Sequence, residues 1–295
     1  MKTQKLATCL WLDNQAEEVL EFYKHVFKNV EVIGAINNTE ATPGGEPGTV
    51  LCIYFVLENM EFLAMNGGPE YKINPSISYM VNCASTDEVE YLWDKLSKGG
   101  TPLMPLDKYP FSEKYGWIQD RFGVSWQLIF TETQPLQKVR PSLMFTNEVC
   151  GKAEEAMGFY TSIFENAEIG TVNRYPAGMA PDKEGTIMFA DFRLENQGFA
   201  VMDSAQDHKF TFNPAISIII NCETQQEVDY FWDKLKDGGS EMACGWLTDK
   251  YGIAWQVTPT ILPKLLQGAD KDRAGRVMLA MMDMVKLDIA KLEEA

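Results

Sequence analysis

The chain of 295 residues is written twice, and this duplication constrains its fold more than any other feature. Asn74-Pro75, Asn82-Cys83, Trp93-Asp94-Lys95-Leu96 and Gly99-Gly100 return as Asn213-Pro214, Asn221-Cys222, Trp232-Asp233-Lys234-Leu235 and Gly238-Gly239, each 139 positions later. Trp117, Gly123 and Trp126-Gln127 return as Trp246, Gly252 and Trp255-Gln256 only 129 positions later. The first copy therefore holds ten extra residues within Met104 to Tyr115, a stretch that reads as a local loop able to act as a lid. Solenoid units run to roughly 20–50 residues, so a repeat this long predicts a folded domain with its own core in each copy. The boundaries fall at 1–137, 138–265 and a tail at 266–295.

Each copy repeats a finer unit. Leu6 to Leu12 is an apolar strand-like run, Asp13-Asn14 supplies a candidate helix cap, and Val19, Phe22, Tyr23 and Val26 follow at helical spacing. Runs at Val30 to Ile36, Thr49 to Leu57 and Phe62 to Met65, separated by turns at Pro43-Gly44-Gly45 and Glu58-Asn59, complete a βαβββ order. The order restarts at Ile77 to Asn82, passes a cap at Ser85-Thr86 and a helix ending at Gly99-Gly100, and closes at Val124 to Phe130 after the turn Asp120 to Gly123. Four such modules predict an α+β fold of curved mixed sheets with helices on one face. In the tail, Val277, Met281, Val285 and Ile289 recur every four residues, which predicts one helix at about 272–293 docked on the outside.

Composition removes several partners. Lys plus Arg number 26 against 42 Asp plus Glu, a net charge of −16 that disfavours nucleic acid and anionic membranes. No apolar run reaches the roughly 18 residues of a transmembrane helix, and Met1 to Lys5 leads directly into a strand, so the expected location is the cytoplasm. The six cysteines show no CxxC spacing and sit mostly in apolar runs, as buried free thiols do. His25 and His208 stand apart from other ligand-type residues and read as surface groups.

The Ala-Glu-Glu-x-x-x-Phe-Tyr helices at Ala16 to Tyr23 and Ala153 to Tyr160, with the closing Asp-x-Phe/Tyr-Gly-x-x-Trp-Gln strands at Asp120 to Gln127 and Asp249 to Gln256, resemble the vicinal oxygen chelate superfamily. That group includes glyoxalase I, bleomycin resistance proteins and extradiol dioxygenases, and the nearest branch is PhnB-like, labelled 3-demethylubiquinone-9 3-methyltransferase. The resemblance spans residues 4 to 262 and implies two tandem glyoxalase-like barrel domains plus a C-terminal helix. It also implies that the second copy can take the place of a partner chain, giving a monomer or a homodimer.

Metal-using relatives place ligands on the first and last strand of each module. Carried over, those places fall on Thr8, at or next to Met65, on Ser76 and on Gln127, then near Met144 or Phe145, near Met202 or Asp203, on Ala215 and on Gln256. Such groups are poor donors for a divalent ion, so neither metal nor cofactor is expected. Strand alternation sends Val124, Trp126, Leu128 and Phe130 under the helices and Gln127 to the opposite, concave side. The same rule places Ser78, Asn82, Ser217, Asn221 and Gln256 there, an arrangement suited to a small apolar or aromatic ligand. Simpler roles compete. Asn82 and Asn221 can bond turn backbone, Asp120 and Asp249 can close their own hairpins, and Gln127 and Gln256 can be satisfied between strands. The resemblance leaves catalysis open. A metal-dependent lyase, isomerase or dioxygenase is one alternative, and a methyltransferase is another; the latter lacks support from a glycine-rich strand-to-helix turn.

Overall fold

The computed structural model describes residues 4–42, 45–133, 137–268 and 270–295. The turn expected at Pro43-Gly44-Gly45 lies partly outside them, as do Met1 to Thr3. The first copy comprises β1 (Leu6–Leu12), α1 (Ala16–Val26), β2 (Val30–Asn37), β3 (Val50–Leu57) and β4 (Met60–Asn66), then β5 (Ile77–Cys83), α2 (Thr86–Leu96), β6 (Thr101–Tyr109), β7 (Ser112–Gln119) and β8 (Ser125–Phe130). The second copy repeats the order with β9 (Val139–Thr146), α3 (Ala153–Ile163), β10 (Ala167–Arg174), β11 (Ile187–Leu194) and β12 (Gln197–Ser204), then β13 (Ile216–Cys222), α4 (Gln225–Leu235), β14 (Ser240–Glu241), β15 (Trp246–Thr248) and β16 (Ala254–Pro259). The chain ends in α5 (Ile261–Leu266), α6 (Lys271–Met282) and α7 (Ile289–Glu294). The fold is α+β, with four βαβββ modules in two eight-stranded mixed sheets.

Neither sheet belongs to one copy. The first runs β14-β15-β16-β13-β1-β4-β3-β2 and the second β10-β11-β12-β9-β5-β8-β7-β6. Each is joined at its centre by an antiparallel pair of module-opening strands, β1 with β13 and β5 with β9. Each eight-stranded sheet thus combines one module from each copy, and within a copy the two modules meet through their apolar backs. Phe62 and Tyr79 stand 5.1 Å apart, Tyr79 and Trp126 5.3 Å, and Tyr23 and Trp126 5.3 Å. This packing leaves each opening strand with a free edge, and the other copy supplies its partner.

The helices bury the faces their spacing foretells. On α1 these are Ala16, Val19, Leu20, Tyr23 and Val26, a stripe three and four residues apart. Its N-terminus differs from expectation. Gln15 is the cap residue and makes no side-chain cap bond, Asn14 turns the chain with φ 58°, and Asn66 Oδ1 accepts from Ala16 N at 2.9 Å. The parallel pairing of Leu12 with Asn66 carries this distant side chain to the helix start. Asp203 does the same for α3, accepting from Gly151 N and Ala153 N. By contrast, Ser85 and Thr224 cap α2 and α4 locally.

Two further expectations are corrected. The stretch from Met104 to Tyr115 is not a loop but the outer part of the β6–β7 hairpin, because Thr101 to Tyr109 pairs back onto Ser112 to Gln119. Its tip stacks Tyr109 on Phe111, ring centres 5.6 Å apart. The tail is not one external helix. Its backbone leaves α6 where Cys244 N and Gly245 N bond to the carbonyls of Met284 and Val285, so Val285 is exposed while Val277 is buried. The tail covers the helix-free face of the first sheet, burying Leu262, Leu266, Val277, Met278, Leu287 and Leu292 against Ala7, Cys9, Cys52, Leu63, Ile219 and Trp246. All six cysteines are free, four of them buried. Among the described residues, no helix is long and apolar enough to cross a membrane.

Candidate functional site

Each sheet turns one face to the shared core and the other away from α1 to α4. On the second sheet, Ile77, Tyr79, Val81, Trp126, Leu128, Leu143 and Phe145 point into the core. The alternating residues therefore line the other face. Pairing sets Ser78 between Ser125 and Ser142, and Met80 between Gln127 and Arg140, while Trp117 lies across from Gln127. Beyond β9, Ser142 pairs with Ala200 and Met144 with Met202, and Asp191 follows beside Ala200.

Gln127 centres one buried network, with a separate Trp117–Ser125 bond beside it. Gln127 Oε1 accepts from the Tyr115 hydroxyl at 2.8 Å, and Gln127 Nε2 donates to Ser78 Oγ at 2.8 Å and Ser142 Oγ at 3.3 Å. Trp117 Nε1 donates to Ser125 Oγ at 2.7 Å. Burial pushes the Tyr115 phenol above its ordinary value, so it stays protonated and donating at neutral pH. Met80 and Met144 are buried around this set, while Trp117, Phe189 and Met202 are half-buried. The composition is a polar centre within an apolar wall.

The first sheet carries the matching set. Gln256 Nε2 donates to Ser217 Oγ at 2.9 Å, and Cys9 stands opposite Ser217 where Ser142 stands opposite Ser78. Burial raises the Cys9 thiol to about 12, which makes it an inert packing group. Above this set the tail leaves a cavity of about 150 Å³, lined in part by Tyr54, Glu61, Ile219, Asn221, Gln256 and Gln267.

The six residues singled out from the sequence thus fall in three groups. Ser78 and Gln127 meet on the second sheet, and Ser217 and Gln256 on the first, beneath the tail. Asn82 and Asn221 hold the backbone that leads into the paired strand of the other copy: Asn82 Nδ2 donates to the carbonyls of Gln137 and Lys138, and Asn221 Nδ2 to that of Gln4. These amides anchor the run into β9 and β1. Sequence reasoning missed Ser142 and Arg140, and it named Tyr115 only as an aromatic of the lid stretch, with Tyr109 and Phe111. Arg140 had a signal in the run from Val139 to Phe145, where it shares parity with Ser142 and Met144 and breaks an otherwise uncharged strand.

The residues do not fit a divalent metal. Thr8 points into the core, its hydroxyl 2.7 Å from that of Tyr79, and both ends of the Gln127 amide are engaged by neighbours. Among the described residues no three His, Cys, Asp or Glu side chains are grouped closely enough to hold an ion. Asp120 and Asp249 belong to the core as well. Asp120 Oδ1 accepts from Phe122 N and Val124 N, closing the turn that Gly123 completes with φ 88°, and Oδ2 accepts from the Tyr23 hydroxyl and Trp126 Nε1. Asp249 repeats this with Tyr251, Ile253, Tyr160 and Trp255.

Residues 4–129 and 137–258 match the family described as 3-demethylubiquinone-9 3-methyltransferase. A PhnB protein from Bacillus cereus, named as a candidate enzyme of that kind, is 36% identical over 43% of this chain and 100% of its own, with a TM-score of 0.41. Glyoxalase I from Zea mays aligns over 85% of this chain and 90% of its own with a TM-score of 0.57 at 11% identity, a likeness of fold. A candidate dioxygenase from Bacillus subtilis subsp. subtilis str. 168 covers 98% of this chain and 94% of its own, with a TM-score of 0.50 at 12% identity. No curated protein matched the chain.

Proposed function

The chain belongs to the 3-demethylubiquinone-9 3-methyltransferase family, the PhnB-like branch of the vicinal oxygen chelate superfamily, and from that premise we propose that it binds a small, largely apolar or aromatic molecule on the helix-free face of its second sheet. One observation carries this reading. Two equivalent polar centres exist, Gln256–Ser217 and Gln127–Ser78, and the chain's own tail covers the first with Val277, Met278, Leu287 and Leu292. At the second, half-buried Trp117 lies beside the amide, and Phe189 and Met202, also half-buried, lie on the same face beyond β9. Aromatic and thioether side chains around a few fixed hydrogen-bonding groups suit recognition by shape with one or two polar contacts. The hairpin β6–β7 contributes through Tyr115, whose hydroxyl orients Gln127. Nothing in this reading requires a metal or a methyl donor.

The test uses a neutral bicyclic probe, 1-naphthamide, followed by quenching of tryptophan fluorescence. Saturable binding of one equivalent is expected, and Met202→Trp, which fills the face beside Met144, should weaken it about tenfold while the fold persists. Absence of saturable binding, or binding indifferent to Met202→Trp, would remove the reading.

A further inference from the structure

Among the described residues, Arg140 makes no ion pair in the middle of this face. Its strand neighbour Met80 separates it from Gln127, and Nη2 donates to the Met80 sulfur, at 3.3 Å. The buried Nε has no partner among the described residues. The guanidinium lies 5.8 Å from the centre of the Phe189 ring. Asp191, the carboxylate that acts on it, accepts from Thr171 N and forms no ion pair with Arg140. Arg193, further along the same face, is by contrast paired with Glu168 at 2.9 Å.

A guanidinium carries five N–H donors in a planar fork, and burying it against a thioether and a ring leaves that capacity unused. An unpaired buried charge costs stability, so a site that keeps one is suited to an anion that completes it. The comparison of sheets sharpens the point. Where Met80 faces Arg140 on the second sheet, Ile219 faces Ala7 on the first, and there the tail lies overhead. The cation stands only on the uncovered face.

We propose that Arg140 receives the carboxylate of the bound molecule, which makes the ligand an aromatic or apolar monoacid whose ring lies against Phe189. This rests on the second sheet being the ligand face. A single guanidinium matches one carboxylate in charge and in fork geometry, whereas a phosphate dianion would be left half-neutralised in a protein of net charge −16.

The test compares 1-naphthoate with 1-naphthamide by calorimetric titration of the wild type and Arg140→Met. The wild type should favour the carboxylate by about tenfold or more, and Arg140→Met should abolish that margin while leaving 1-naphthamide binding intact. Arg140→Met should also melt no lower than the wild type, since it removes an unpaired buried charge. Equal binding of both probes to the wild type would overturn the proposal and leave the ligand face standing. Failure of both to bind would remove both readings. A fall of several degrees in melting temperature with loss of both ligands would make Arg140 a structural residue and likewise overturn the proposal.

Discussion

Deletion of residues 269–295 is expected to cost the protein about as much free energy as a whole domain possesses. Val277, Met278, Leu287 and Leu292 are all essentially inaccessible on the first sheet. At about 1.5–3 kcal/mol for each large apolar side chain, their burial sums to about 6–12 kcal/mol, against a typical total of about 5–15 kcal/mol. Polar ties reinforce the docking: Ile289 N bonds to Gln225 Oε1, and Lys286 pairs with Asp229 at 2.6 Å. The truncated chain should melt more than about 10 °C lower and expose an apolar face that drives self-association, read by thermal denaturation and size-exclusion chromatography. The single change Leu292→Ala should cost about 2–5 kcal/mol. A truncated protein that melts like the full chain would show that the tail merely rests on the sheet.

Asp120→Asn is expected to lower stability by about 2–5 kcal/mol and to alter its pH dependence. The carboxylate is met by four donors, two from backbone and one each from Tyr23 and Trp126, and an amide in its place turns an N–H toward another donor. Burial pushes the Asp120 carboxyl up to about 6 in spite of those donors. The folded protein therefore holds a proton that the unfolded chain has released near pH 4. The stability this group contributes is fully present below about pH 4 and is lost as pH rises through about 6. Asp249, whose carboxyl burial also raises, adds a contribution of the same sign. Chemical denaturation between pH 4 and 7 should show a flatter profile for Asp120→Asn than for the wild type. Parallel profiles would mean that Asp120 does not titrate in this range.

The local grammar of the chain was legible because it rests on short-range rules. Period-two alternation in Ile77 to Val81 and Val124 to Leu128 placed Tyr79 and Trp126 in the core and Ser78 and Gln127 opposite, as the side chains stand. Helical spacing located α1, its repeated motif located α3, and Ser85-Thr86 marked the start of α2. What failed were steps that crossed between modules. Asn66 was invisible as the cap of α1 because its register against Leu12, not its distance along the chain, brings it there. Thr8 was placed on the ligand side although its hydroxyl meets Tyr79 in the core.

The sequence by itself determined the duplication, the four βαβββ modules, the family and which residues of each strand share a face, since each follows from repeated spacing or from the pleat. Tertiary structure decided which modules share a sheet, because strand edges pair by hydrogen bonds whose direction no side-chain pattern records. It also decided that the two helix-free faces are unequal. An amphipathic tail can dock on any apolar surface of the right shape, and only the folded chain shows it lying over Gln256 and Cys9 while Gln127 and Arg140 stay uncovered by it.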